Sequence, residues 1–135
     1  MSEQIKVTAV IPAEAGTIYN AWLNGKEHGA MTGGKATAST KIGGKYTAGD
    51  GYISGKNLDL IPGKRILQSW RSTEFSDTDP DSFLLVKMEP VGSNTKLILI
   101  HFEIPDGQGA SYKKGWLDFY LKPMKNYFHG RDGKK

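Results

Sequence analysis

Tyr112-Lys113-Lys114-Gly115-Trp116-Leu117-Asp118-Phe119-Tyr120-Leu121-Lys122-Pro123-Met124-Lys125-Asn126-Tyr127-Phe128 is the stretch that decides the fold. At about 100° per residue, Tyr112, Trp116, Leu117, Phe119, Tyr120, Leu121, Met124, Tyr127 and Phe128 fall into one apolar arc. Lys114, Asp118, Lys122, Lys125 and Asn126 fill the remaining face. The arc spans roughly 200°, wider than the ~100° stripe that suffices for a helix lying on a flat surface. A helix of this kind has to be gripped from several sides. Ser111 or Gly115 can cap its start, Lys125 and His129 suit the negative end of its dipole, and Gly130 stands where a C′ glycine belongs. Pro123 removes a backbone hydrogen bond inside it and is expected to kink it.

What precedes the helix alternates with period two. Gln4 to Ile11 places Ile5, Val7, Ala9 and Ile11 on one face and reads as a half-buried first strand. Pro12 ends it, and Ile18, Ala21 and Trp22 give Glu14 to Leu23 a helical spacing that Asn24-Gly25 stops. A second short helical turn is expected over Lys26 to Met31. Strands and turns follow. Gly33-Gly34-Lys35-Ala36-Thr37-Ala38 and Gly43-Gly44-Lys45-Tyr46-Thr47-Ala48 echo each other ten residues apart and read as paired hairpin strands. Gly51 to Leu60, Lys64 to Ser72, Ser82 to Glu89 and Thr95 to Ile104 are further strands, with an acidic exposed loop at Asp77 to Asp81. The expected α+β architecture is a curved antiparallel sheet wrapped around the terminal helix, an arrangement that leaves a pocket between the two.

The 135 residues suit one domain, 1–128, followed by a flexible basic tail, 129–135. With 38% hydrophobic and 24% charged residues the composition is that of a globular protein. The chain has no cysteine, which excludes disulfides, thiolate nucleophiles and cysteine metal sites. Met1-Ser2-Glu3-Gln4 begins a polar strand rather than a secretory leader, and no apolar run approaches the about 18 residues of a membrane span. A cytoplasmic location, without membrane insertion, is expected. The formal charge of +4 invites a nucleic-acid reading, but the last seven residues hold +2 of it and arginines number only three, Arg65, Arg71 and Arg131. That distribution argues against nucleic-acid binding, where bidentate arginine contacts are the rule.

The motifs that would carry chemistry fail on context. Gly29 to Ala36 nearly spells a phosphate loop, yet Ala36 replaces the magnesium-binding hydroxyl, and a strand rather than a helix follows. His28, His101 and His129 sit in three elements without metal-ligand spacing, so no metal or cofactor is expected. Asp50, Asp59 and Glu103 are the nearest carboxylates in the β region, and nothing in their spacing pairs them, so no catalytic residue is assigned. On its strand His101 shares a side with Leu97 and Leu99, which points its imidazole towards the pocket. Tyrosines and tryptophans with polar tips on apolar bodies are spread over helices and strands. A subset of them lining a cavity suits a flat or lipid-like ligand.

Read in order, Ile11-Pro12-Ala13 into Tyr19 and Ala21-Trp22, Ile42-Gly43-Gly44-Lys45-Tyr46, Asp50-Gly51-Tyr52-Ile53-Ser54-Gly55, Pro62-Gly63-Lys64-Arg65-Ile66 into Trp70-Arg71, Asn94-Thr95-Lys96-Leu97, and Gly115-Trp116 with Tyr120-Leu121 and Tyr127-Phe128 form a recognisable series. Over residues 5–128 this series resembles the C-terminal domain of the activator of the heat-shock protein 90 ATPase and its single-domain bacterial relatives, within the SRPBCC superfamily that includes START domains and the birch-pollen-allergen fold. The resemblance implies a helix-grip fold: six or seven antiparallel strands curled around the C-terminal helix, with two short helices after strand 1. It implies two roles. The first is a non-enzymatic domain whose cavity takes a small apolar or amphipathic molecule or lipid, lined by residues among Trp22, Tyr46, Tyr52, Trp70, His101, Trp116 and Tyr120. The alternative is a co-chaperone-like module that contacts a heat-shock protein 90 and regulates its ATPase. Either is compatible with a monomer or a homodimer.

Overall fold

A computed structural model describes the backbone of residues 2–132 and the side chains of residues 2–129. The chain runs β1 (Ser2–Ile11), α1 (Ala15–Trp22), α2 (Gly25–Thr32), β2 (Lys45–Ala48), β3 (Ile53–Ile61), β4 (Arg65–Ser72), β5 (Ser82–Val91) and β6 (Asn94–Pro105). It closes with a terminal helix of three continuous parts: α3 (Gly109–Gly115), a π-helical segment (Trp116–Leu121) and α4 (Lys122–Asp132). The six strands form one antiparallel sheet in the order β1-β6-β5-β4-β3-β2. Two short helices after strand 1 and a sheet gripping a C-terminal helix make this the helix-grip α+β fold.

Among the described residues a seventh strand does not form. Of the two echoing segments only Lys45–Ala48 is a strand; the first meets it through a single bridge, Thr37 to Thr47. The physical reason lies in the adjacent strands. Asn57 and Gln68 face each other across β3 and β4, and Gln68 Nε2 donates to Asn57 Oδ1 at 2.9 Å. The amide of Asn57 then donates to the carbonyls of Ser39 and Lys41, at 2.8 and 3.0 Å. These bonds hold residues 39–44 as a loop folded over the sheet edge, which satisfies that backbone without a ladder.

The core is the inner face of the sheet closed by α1, α2 and the terminal helix. Ile11, Ile18, Ile66, Val86, Leu97, Leu99, Ile104 and Met124 are wholly buried there. Asn24 ends α1 and caps α2, its side chain accepting from Glu27 N–H at 2.9 Å, while Gly33 closes α2 in the left-handed conformation at φ 87°.

The terminal helix departs from expectation at both ends and in the middle. It starts at Gly109, ahead of Tyr112, and neither Ser111 nor Gly115 caps it. The cap comes from β1. Glu3 accepts from Gly107 N–H at 3.0 Å and Gly109 N–H at 2.7 Å, bonds that hold its carboxyl below the usual range. At the far end the helix passes through Gly130 to Asp132, so the segment expected to be tail is helical over its first residues. Residues 133–135 of that expected tail lie outside the described residues.

The π-helical segment answers two constraints at once. Pro123, two residues past its end, has no N–H to give and would collide with a carbonyl one α-turn earlier; the wider turns before it move those carbonyls. They also keep an apolar ladder in line. Tyr112, Trp116, Tyr120, Met124 and Phe128 recur strictly every fourth residue, and all five are buried. On an α-helix a four-residue step overshoots a full turn by about 40°. Turns of about 4.4 residues undershoot by a similar amount, so one π-helical segment cancels much of the drift. The buried face is therefore narrower than the sequence wheel shows, and Leu117 and Phe119 are 37% and 68% exposed.

Candidate functional site

Between the terminal helix and the open end of the sheet lies a cavity of about 310 Å³. The helix contributes Tyr112, Gly115, Trp116, Phe119 and Tyr120; the sheet contributes Trp70 and Ile53. The end of α2, with Thr32, Gly33 and Gly34, and the turn at Gly49 and Tyr52 complete the wall. Gly115 lines the cavity without a side chain, and a Cβ there would meet only the Phe119 ring at 3.8 Å, so part of the cavity is space that a larger residue would fill. Tyr52 and the strongly exposed Phe119 are its half-open lips.

The walls are rigid because their rings interlock. Trp70 meets Tyr112 at 4.8 Å and Trp116 at 5.8 Å between ring centroids, and Trp116 meets Tyr120 at 4.7 Å. The polar tips are spent inside the protein. Tyr120 donates to His28 Nε2 at 2.7 Å, while His28 Nδ1–H donates to the Trp22 carbonyl at 2.9 Å, which defines the tautomer. Burial raises the Tyr120 phenol and lowers the His28 imidazolium, so both stay neutral. Tyr112 donates to Gln108 Oε1 and accepts from Ser72 Oγ at 2.6 Å, and burial pushes its phenol up to about 12.

Four residues singled out in the sequence, Tyr52, Trp70, Trp116 and Tyr120, share this cavity. The other three stand behind it. Trp22 is buried with its indole N–H donated to Gln68 Oε1 at 3.3 Å. Tyr46 is buried with its hydroxyl donated to the Ser69 carbonyl at 2.7 Å. His101 does not reach the cavity: Trp116 Nε1–H donates to its Nδ1 at 3.1 Å, and its Nε2–H donates to Ser82 Oγ at 2.8 Å. Ser82 in turn donates to the Trp70 carbonyl at 2.7 Å. Both imidazole nitrogens are thus occupied, and desolvation lowers the pKa to about 3, so the ring is neutral and has nothing left to offer a ligand. It is a strut between the two tryptophans of the wall.

The expected lining lacks Tyr112, which the sequence counts among its spread aromatics, and it lacks Thr32, Ile53, Phe119 and the glycines. The four-residue ladder could have supplied Tyr112 beside Trp116 and Tyr120; a glycine that shapes a cavity by having no side chain leaves no such signal. Asp50, Asp59 and Glu103 stay apart, engaged with Lys35 N–H, Arg65 and Ser2 respectively. Among the described residues no group of three or more metal-ligating side chains forms, and no helix is long and apolar enough to cross a membrane.

A helix-grip domain with an aromatic-walled cavity between helix and sheet is an SRPBCC-type architecture. Within it, residues 12–129 match the family described as activator of Hsp90 ATPase homolog 1-like protein, and the chain belongs to that family. The human activator of 90 kDa heat shock protein ATPase homolog 1 is 29% identical over 99 residues, covering 73% of this chain and 29% of that protein. The Dictyostelium discoideum activator is 26% identical over 110 residues, covering 82% of this chain and 29% of its own length. The chain thus spans less than a third of these relatives. An HSP90 activator from Plasmodium falciparum superposes with a TM-score of 0.84 at 22% identity, covering 92% of this chain and 94% of that one. The Aha1 dimer from Colwellia psychrerythraea superposes with a TM-score of 0.79 at 17% identity, covering 93% and 96%. At these identities the two structures speak for the fold.

Proposed function

We propose that this chain is a co-chaperone-like module that binds a heat-shock protein 90 and regulates its ATPase, without an enzymatic activity of its own. The family match over residues 12–129 carries the reading. The named curated relatives are activators of that ATPase, and their similarity falls within this one domain. The interior supports it too: the buried histidines and tyrosines are tied to one another and to the backbone, which suits a rigid docking body better than a reaction centre. Isothermal titration of purified heat-shock protein 90 with the chain tests this. Saturable binding is expected, and no heat at tens of micromolar of either protein would overturn it.

A second reading is favoured by the cavity itself. About 310 Å³ lies at the lower end of the range of small-molecule sites, and the aromatic walls suit an apolar or amphipathic molecule. On this reading Trp70 and Trp116 form its sides, and Tyr52 and Phe119 its lips. Ligand-observed NMR against a lipid and aromatic library tests it. Hits should be displaced by filling the cavity with Gly115→Leu; hits that bind this variant equally well would place them elsewhere.

A further inference from the structure

The sheet has a second apolar face. An antiparallel sheet with one face in water alternates apolar and polar residues, yet β5 reads Phe83-Leu84-Leu85-Val86 and β6 reads Leu97-Ile98-Leu99-Ile100-His101-Phe102. Continuous runs of this kind belong to strands covered on both sides. Leu84, Val86, Leu97 and Leu99 enter the core. Leu67, Phe83, Leu85, Ile98, Ile100 and Phe102 do not; they form a separate layer on the outer face. The register makes that layer continuous, pairing Phe83 with Phe102, Leu85 with Ile100 and Leu67 with Leu85. The two phenylalanine rings lie 5.4 Å apart. Ile98 is buried and the other five are half-buried, so the layer forms a flush apolar floor to the outer face.

The charges around this layer bear on what it can meet. Lys6 pairs in register with Ile100, Lys87 with Ile98, and Lys96 precedes Ile98 by two on the same face. Arg65 stands directly opposite Lys87, a like-charge juxtaposition that costs stability. Asp59 answers Arg65 at 3.4 Å, but among the described residues no ion pair forms at Lys6, Lys87 or Lys96. Glu89 stands opposite Lys96 in register without closing to a salt bridge. A positive ring around an apolar centre is complementary to an apolar patch edged with carboxylates. A second copy of this face would set cations against cations. A lipid surface is a poorer fit, since these side chains are half-buried or buried and flush with the sheet, with none projecting to insert among acyl chains.

We propose that the outer face of β4, β5 and β6, centred on Leu85 and Ile100 and ringed by Lys6, Lys87 and Lys96, is the docking surface for an acidic-rimmed protein partner. This rests on the reading above, which makes that partner the chaperone. The surface lies on the opposite side of the sheet from the cavity, so the two sites can be occupied independently.

The test is a methyl and amide NMR footprint of the chain with purified heat-shock protein 90, beside a Lys6→Glu/Lys87→Glu/Lys96→Glu variant and a Lys125→Glu control on the exposed side of α4. Thermal melts establish that both are folded. Broadening of Leu67, Leu85, Ile98 and Ile100, at least tenfold weaker and less salt-sensitive binding of the triple variant, and unchanged binding of Lys125→Glu are expected. A footprint elsewhere, with the triple variant binding as tightly as the wild type, overturns the docking surface and leaves the chaperone reading standing. Wild-type protein that does not bind the chaperone at all sinks both. Sedimentation as a dimer that buries this face, or its binding to phosphatidylglycerol vesicles in place of the chaperone, also overturns the proposal.

Discussion

Replacing His101 with phenylalanine isolates the strut that holds the cavity wall. The change keeps a ring in a fully buried site but removes the acceptor for Trp116 N–H and the donor to Ser82. Leaving the buried indole donor unmet costs about 1–3 kcal/mol. The second consequence is a loss of pH dependence. Folding lowers the His101 pKa from 6.5 to about 3, so between those values the unfolded chain binds the extra proton. Stability therefore rises with pH through that window, is fully present above about 6.5, and is lost as pH falls toward 3. At about 1.4 kcal/mol per pH unit, the wild type loses roughly 2 kcal/mol through this residue between pH 7 and pH 5. His28, whose pKa burial also lowers, adds loss of the same sign and remains in the variant. Urea denaturation at pH 7, 6 and 5 should show His101→Phe less stable than the wild type at pH 7, with the gap narrowing as pH falls. Equal pH slopes in the two proteins would mean that the imidazole is solvated, and the strut would be refuted.

Three further substitutions probe the frame. Trp116→Ala removes a buried ring from helix, wall and His101 together, and should cost about 3–5 kcal/mol by chemical denaturation. Gly55→Ala places a methyl 2.0 Å from the Ser69 carbonyl and 2.8 Å from the Tyr46 ring, so β3 has to leave β4 there; a loss of about 3 kcal/mol is expected, and an unchanged Tm would contradict the close approach. Asn57→Ala frees the carbonyls of Ser39 and Lys41 and should speed hydrogen exchange at Gly43, whose N–H is donated to the Asn57 carbonyl, with little change in β5 and β6.

The architecture was legible in the sequence because it rests on periodicity. Strands β3 to β6 and α1 follow from apolar spacing and from turn residues such as Asn24-Gly25 and Pro62-Gly63, α2 fills out the short turn expected over Lys26 to Met31, and the six landmarks pointed to the right family. What escaped depended on contacts between distant residues. The cap of the terminal helix is Glu3, more than a hundred positions upstream, and no local signal announces it. The loop at residues 39–44 is held by Asn57, so a strand-like echo became a single bridge. The wheel over Tyr112 to Phe128 assumed one pitch throughout; the π-helical segment changed the pitch and turned Phe119 outward to the cavity lip. Trp22, Tyr46 and His101 have the chemistry of binding residues, but hydrogen bonds to Gln68, Ser69, Ser82 and Trp116 decide their role, and those partners lie on other elements.

The central claim is that this domain regulates a heat-shock protein 90, and the ATP turnover of that chaperone as the chain is titrated tests it most directly. The rate should change saturably, rising towards a plateau, with half-effect at the dissociation constant measured by titration calorimetry. A rate that stays flat up to a large molar excess of folded chain would contradict the claim.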